Sequence, residues 1–76
     1  MARSSTKSEE DEFLKALGKR IRAAREAKGL SLQGVEERGF PSWESLQRAE
    51  SGRAMTTRTL FRICKALGIQ PKELFK

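Results

Sequence analysis

A chain of 76 residues, of which 37% are apolar, has room for one small domain and for no second one. One cysteine and no histidine exclude an intramolecular disulfide, the usual zinc sites and imidazole catalysis, so we expect no metal, no cofactor and no enzymatic activity. The net charge of +6 indicates a polyanionic partner, or a basic surface that only aids solubility. No apolar run approaches the ~18 residues of a membrane span, and nucleic acid or an anionic membrane are the candidate partners. No apolar stretch follows the basic start of the chain, so we expect no secretory signal and a cytoplasmic location.

The chain begins with a basic, Ser-rich stretch, which predicts a flexible arm over residues 1–8 and a helical domain over residues 9–76. Ser8 is a candidate N-cap, because the acidic residues 9–12 would then occupy the first helical turn, where the macrodipole favours negative charge. Apolar residues at spacings of three and four follow, namely Leu14, Leu17, Ile21 and Ala24. They predict one buried stripe on a first helix that stops at Gly29.

Two short helices come next. Ser31 is the predicted N-cap of a helix of about two turns that ends at Gly39, and Ser42 is the N-cap of a third helix that stops at Gly52. Phe40 and Pro41 cannot continue the earlier helix, so the connection is about three residues long. The residues predicted to face inward are Leu32 and Val35 on the second helix, and Leu46 and Ala49 on the third.

The last third of the chain predicts two further helices. Thr56 or Thr57 caps a fourth helix that closes at Gly68. Its inward face is predicted from the spacing of Leu60, Ile63, Cys64 and Leu67. Pro71 suits the first position of a short fifth helix, from which Leu74 and Phe75 can return to the core. Five helices joined by short loops predict an all-α fold with Cys64 buried.

Two short helices joined by a turn that contains glycine, over residues 31–52, form a helix-turn-helix pattern, whose second helix enters the DNA major groove. The surrounding segments are LGKRIRAAREAKGLS, then V and L with ten residues between them, then RAESGR and TLFRICKALGIQPKELF. In this order they resemble the phage repressor/Cro-type family of bacterial and phage regulators, also called the xenobiotic-response-element family, over about residues 14–75. The resemblance implies a compact five-helix, lambda-repressor-like DNA-binding domain with a central helix-turn-helix, in a transcriptional regulator.

The resemblance also assigns structural roles by position. Val35 and Leu46 correspond to the inward residues that set the angle between the motif helices, and Arg25 and Glu50 to a partly buried ion pair. The chain departs from the family where Glu36 replaces a small residue and where Gly39 comes one position early. Gly34 inside the second helix indicates either a close backbone approach or a locally altered helix.

The outward residues of a third helix over residues 42–50 are the candidates for base readout. Arg48 can form a bidentate pair with guanine and Gln47 with adenine. Glu44 can accept a hydrogen bond from cytosine or serve as a favourable charge in the first turn. Trp43 can press on a thymine methyl or sugar, but packing on its own domain, over Phe40, is favoured.

The resemblance places the candidates for contacts to the DNA backbone mainly at the starts of the motif helices and the fourth helix and in the loop after the third helix. They are Gln33, Ser42, Ser51, Arg53, Thr56, Thr57 and Arg58. Such contacts fix the register on DNA without reading sequence. The basic residues of the first helix, Arg22 among them, are predicted to form a solvated face.

The expected function is sequence-specific binding to double-stranded DNA, as a homodimer on a palindromic operator. A dimer surface is sought in the last part of the chain, where Phe61, Ile69, Lys72 or Phe75 could meet a symmetry mate. For the apolar members of this set, closure of the core is the alternative. The alternative function is a helix-turn-helix scaffold that binds a protein regulator, as an antirepressor, antitoxin or polymerase-associated adaptor.

Overall fold

The computed structural model describes residues 2–39 and 42–75. Its helices are α1 (Ala2–Ala27), α2 (Leu32–Glu37), α3 (Trp43–Glu50) and α4 (Thr57–Leu67), followed by a 3-10 helix, Pro71–Leu74. The described residues contain no strand. The all-helical fold with a central helix-turn-helix is therefore confirmed, and the fifth predicted helix is a single 3-10 turn. No helix in the described ranges is long and apolar enough to cross a membrane.

The start of α1 differs from the prediction. The backbone is helical from Ala2, so the predicted helix start at Ser8 is wrong. The division into an arm over residues 1–8 and a domain over residues 9–76 stays a prediction. The physical reason is that residues 2–7 contain neither glycine nor proline, so nothing prevents the helix from extending backwards. The acidic residues 9–12 consequently lie in the third turn of α1, beyond the reach of the macrodipole.

The starts of α2, α3 and α4 are confirmed as capped by side chains. The Ser31 hydroxyl accepts a hydrogen bond from the Gly34 amide at 2.9 Å, and this bond begins α2. The Ser42 hydroxyl accepts the Ser45 amide at 3.1 Å at the start of α3. Of the two candidates at α4, Thr56 is the cap. Because an N-cap accepts an amide that has no partner within its helix, these hydroxyls fix where each helix begins.

The core lies where the helices meet. Val35 of α2 and Leu46 of α3 are fully buried, which confirms them as the inward residues of the motif and sets the register of α2. The buried cluster is completed by Leu17, Ile21, Ala49, Ile63, Cys64, Ala66, Leu67 and Leu74. Burial raises the pKa of the Cys64 thiol, and the negative charge of Glu73 acts in the same direction. Cys64 is thus a core residue, as predicted.

Two glycines inside helices have different roles. A Cβ at Gly18 would lie 2.6 Å from the carbonyl oxygens of both Ala49 and Glu50, so α1 crosses the end of α3 in direct backbone contact. A Cβ at Gly34 would meet only side chains, with Ser31 Oγ at 3.2 Å as the nearest atom. The close backbone approach that the sequence allowed at Gly34 is therefore found at Gly18, and it holds α3 against α1.

The end of the chain corrects a second prediction. Leu74 is buried as expected, whereas Phe75 is 46% exposed and does not enter the core. Its ring stacks on Phe13 of α1 instead, with 6.1 Å between the ring centroids and 16° between the planes. Phe13 is itself 54% exposed. The outcome is an aromatic pair on the surface, where the last turn meets the first helix.

Candidate nucleic-acid interface

The turn of the helix-turn-helix is longer than predicted. Because α2 ends at Glu37 and α3 begins at Trp43, the connection comprises residues 38–42 and not about three residues. Gly39 has a φ of +120°, in the region that residues with a side chain rarely adopt. The predicted packing of Trp43 on Phe40 involves a residue that lies outside the described ranges. Pro41 also lies outside them.

α3 has one buried and one exposed face. Leu46 and Ala49 lie in the core, and the predicted readers Glu44, Gln47 and Arg48 are exposed. This division follows from the helical period, which places residues three and four apart on one side. Trp43, at the first position of α3, is half-buried. Readout by these four side chains remains a prediction, but three of them project into solvent.

A bidentate ion pair fixes the end of α3 to α1. Arg25 Nε donates to Glu50 Oε2 at 2.7 Å, and Arg25 Nη2 donates to Glu50 Oε1 at 3.0 Å. The third donor, Nη1, binds the Leu30 carbonyl at 2.8 Å. The side chains are 11% and 9% exposed, so water screens the pair little. The hydrogen bond to Glu50 raises the pKa of Arg25 above its ordinary value, against the opposing effect of burial. The ion pair expected here is confirmed.

The predicted readers Gln47 and Arg48 border different depressions on the surface. Arg48 borders one between α3 and the start of α4, lined also by Ser45, Ala49, Ala54, Met55, Thr56 and Thr59. Gln47 borders one between α3 and α1, lined also by Arg22, Arg25, Leu32, Glu50 and Ser51. α3 therefore forms a ridge with a depression on each side. A protruding helix of this kind matches the concave major groove.

For Arg22, the sequence predicts a position on the solvated face of α1. The structure places it beside Gln47 in the depression between α1 and α3. Arg22 Nε forms a 3.0 Å ion pair with Glu26, and both side chains are more than half exposed. Its position could have been inferred, because Arg22 lies three residues before Arg25 on the same side of a helix. Once Arg25 is placed against α3, Arg22 must lie near it.

The residues predicted to contact the DNA backbone divide into two groups. Ser42, Ser51 and Thr56 use their hydroxyls locally: Ser42 and Thr56 as helix caps, and Ser51 as a donor to the Gln47 carbonyl at 2.9 Å. The remaining members are exposed and make no side-chain hydrogen bond within the described part of the chain: Gln33, Arg53, Thr57 and Arg58. Two arginines, Arg53 and Arg58, therefore stand on the loop and helix that follow α3 with their charge available.

A solved structure and a family profile both support this description. The crystal structure of the DNA-binding domain of BldD aligns with a TM-score of 0.75 at 37% sequence identity, over 84% of this chain and 94% of that domain. A comparison with curated proteins gave no match. The family profile of the Cro/C1-type helix-turn-helix DNA-binding domain matches residues 20–76, which include α2, α3, α4 and both partners of the ion pair. The chain therefore belongs to the Cro/C1-type helix-turn-helix DNA-binding domains, and its partner is double-stranded DNA.

Proposed function

We propose that this protein is a transcriptional regulator that reads a specific operator with α3 and binds it as a homodimer. The observation that carries the proposal is the exposed face of α3, where Gln47 and Arg48 project from a helix fixed by its buried face and by the Arg25–Glu50 pair. A reading helix has to be rigid, because bidentate hydrogen bonds tolerate little displacement.

Arg48 is the proposed reader of guanine and Gln47 of adenine, each contributing about 1–3 kcal/mol of discrimination. Glu44 reads cytosine or keeps phosphates away from the start of α3, and Trp43 covers the edge of the site. Glu50 does not take part, since both its carboxylate oxygens are occupied by Arg25. Specificity is therefore concentrated in the exposed residues of two helical turns.

Phosphate contacts on either side hold α3 in register. The proposed set comprises Gln33, Arg53, Thr57 and Arg58, joined by the free amides at the starts of α2 and α4. Ser42, Ser51 and Thr56 belong to this surface through their backbone, because their hydroxyls are engaged locally. Two half-sites about one helical turn apart would then match a symmetric dimer. The proposed location is the cytoplasm of a bacterium, or of a cell infected by a phage, with the protein on the nucleoid when bound.

The test is selection of bound duplexes from a random pool, followed by titration of two arginine variants. A palindromic consensus is expected. Arg48→Ala should weaken binding to the consensus by about 1–3 kcal/mol and leave non-specific binding nearly unchanged. Arg58→Ala should weaken binding to all duplexes alike, and it should reduce the slope of log affinity against log salt concentration by about the contribution of one phosphate contact.

Arg62→Ala is the matched control, since Arg62 is an exposed arginine of the same helix, α4, that borders a different depression. It should change neither the specific nor the non-specific affinity by as much as Arg58→Ala. A chain that binds no duplex at low salt, or that selects no consensus, would overturn operator binding and favour the scaffold for a protein regulator.

A further inference from the structure

An apolar patch on the surface has no role in the proposed reading of DNA. Phe13 and Phe75 are stacked and about half exposed, and we name them the Phe13–Phe75 patch. The patch is held in place because Arg20 Nη1 donates to the Leu74 carbonyl at 3.1 Å, which ties the last turn to α1. Beside it lies a shallow, mainly apolar depression, lined by Glu9, Glu10, Phe13 and Leu14. Aromatic side chains are enriched in protein–protein interfaces relative to the rest of the surface.

The charges around the patch indicate its partner. Glu9, Phe13, Ala16 and Arg20 follow one another at intervals of four, three and four residues, so they form one stripe along α1. The stripe has an acidic end, an apolar middle and a basic end. If a second α1 runs antiparallel, with the two-fold axis between positions 14 and 15, Glu9 faces Arg20 of the second copy and Phe13 faces Ala16. A parallel arrangement would place Glu9 against Glu9.

We propose that the Phe13–Phe75 patch binds a second copy of this chain, with the two α1 helices antiparallel along this stripe. The small Ala16 side chain allows the two helices to approach closely, and Phe13 of each copy then covers it. The charged ends select the antiparallel orientation, while the aromatic residues supply most of the affinity, because exposed ion pairs contribute little. The proposal deepens the dimer part of the proposed function and names its surface.

The size of the patch sets the strength of the contact. Two half-exposed phenylalanines offer roughly 200 Å² per copy, against about 800 Å² per partner in a standard stable interface. The free protein therefore associates weakly, and two half-sites on one DNA molecule raise the effective concentration enough to complete the dimer. The contact acts as a coupling between half-sites and does not form a permanent dimer.

Sedimentation equilibrium of the 76-residue chain without DNA, carried into the millimolar range, tests the surface. The wild type should form dimers, and Phe13→Ala should raise the dissociation constant at least about tenfold. Phe61→Ala is the matched control, because Phe61 is 60% exposed on α4 and lies outside the patch. A wild type that stays monomeric, or an association that depends on Phe61 and not on Phe13, would overturn the proposal.

A charge exchange tests the orientation. Glu9→Arg and Arg20→Glu should each weaken self-association, whereas the double variant Glu9→Arg/Arg20→Glu should restore it, because two antiparallel copies then again pair opposite charges, while a parallel pair would still set like charges against each other. A double variant that associates no better than the single variants would refute the antiparallel register. Thermal melting shows whether the Arg20→Glu variant folds without its hydrogen bond to the Leu74 carbonyl. If this variant does not fold, the comparison of Phe13→Ala with Phe61→Ala tests the surface on its own. These measurements contain no DNA, whereas the reading of bases by α3 is tested by duplex titration. A chain that fails to self-associate can still bind a single half-site through α3, so the two proposals can fail separately.

Discussion

Replacing Gly18 by alanine tests whether direct backbone contact between α1 and α3 positions the reading helix. The new Cβ would lie 2.6 Å from the carbonyl oxygens of Ala49 and Glu50, whereas carbon–oxygen contacts are normally about 3.3–3.6 Å. The two helices must therefore separate by roughly 0.7–1 Å. Alanine gains about 1 kcal/mol in helix propensity. Overpacking costs about 1–3 kcal/mol, and we take the upper part of that range, about 2–3 kcal/mol, because the Cβ would meet backbone carbonyls and not flexible side chains. We expect a net loss of about 1–2 kcal/mol.

Urea unfolding and thermal melting measure this loss, which corresponds to a fall of at least about 4 °C in Tm for a domain of this size. Gly34→Ala is the matched control, since its Cβ would meet side chains that can adjust. The control should leave the free energy of unfolding unchanged or raise it by up to about 1 kcal/mol. If Gly18→Ala were as stable as Gly34→Ala, helix propensity would outweigh the contact, and our explanation of how α3 is positioned would be refuted.

Three further predictions concern the ion pair, the buried thiol and a helix cap. Arg25→Ala should lower the free energy of unfolding, measured in urea, by about 3–5 kcal/mol, because it leaves the Glu50 carboxylate buried without its partner. The double variant Arg25→Met/Glu50→Leu should recover most of that loss, and a double variant as unstable as Arg25→Ala would contradict this explanation. The raised pKa of Cys64 means that its contribution to stability is complete below the ordinary thiol pKa of 9.0 and is lost as pH rises above it. Unfolding on both sides of that pH should show a decline that Cys64→Ala lacks, and an equal decline in both would count against it. Thr56→Ala should lower the free energy of unfolding by about 1 kcal/mol through loss of the α4 cap, whereas Thr57→Ala should not, and the opposite order would show that the cap is misassigned.

The local signals in the sequence predicted local structure well. Ser31, Ser42 and Thr56 were found as caps because a hydroxyl that accepts an amide three residues later is a property of a short segment. The exposed residues of α3 followed from the helical period. The backward extension of α1 was missed, because a good capping sequence at Ser8 does not stop a helix when the residues before it are also compatible with one.

Features that depend on two distant segments could not be read from the sequence without the resemblance. Gly18 looked like any helical glycine, because the carbonyls of Ala49 and Glu50 come close to it only in the folded chain. The sequence also could not show which of two adjacent apolar residues would turn inward in the last turn. The 3-10 geometry buries Leu74 and leaves Phe75 against Phe13. The Arg25–Glu50 pair was expected only because family members place charges there.

The bidentate geometry of that pair has a consequence for the evolution of binding specificity. Successive residues in an α-helix are rotated by about 100°, so turning α3 by a single position would move Arg48 to a different face of the domain. Apolar contacts at Leu46 and Ala49 tolerate small rotations, whereas a guanidinium that uses two donors on one carboxylate has a defined direction. The Arg25–Glu50 pair thus fixes the rotation of α3 about its own axis. With the helix locked about its own axis, Gln47 and Arg48 can be exchanged for other side chains without redesign of the scaffold, and under the proposed readout each exchange would select a new operator.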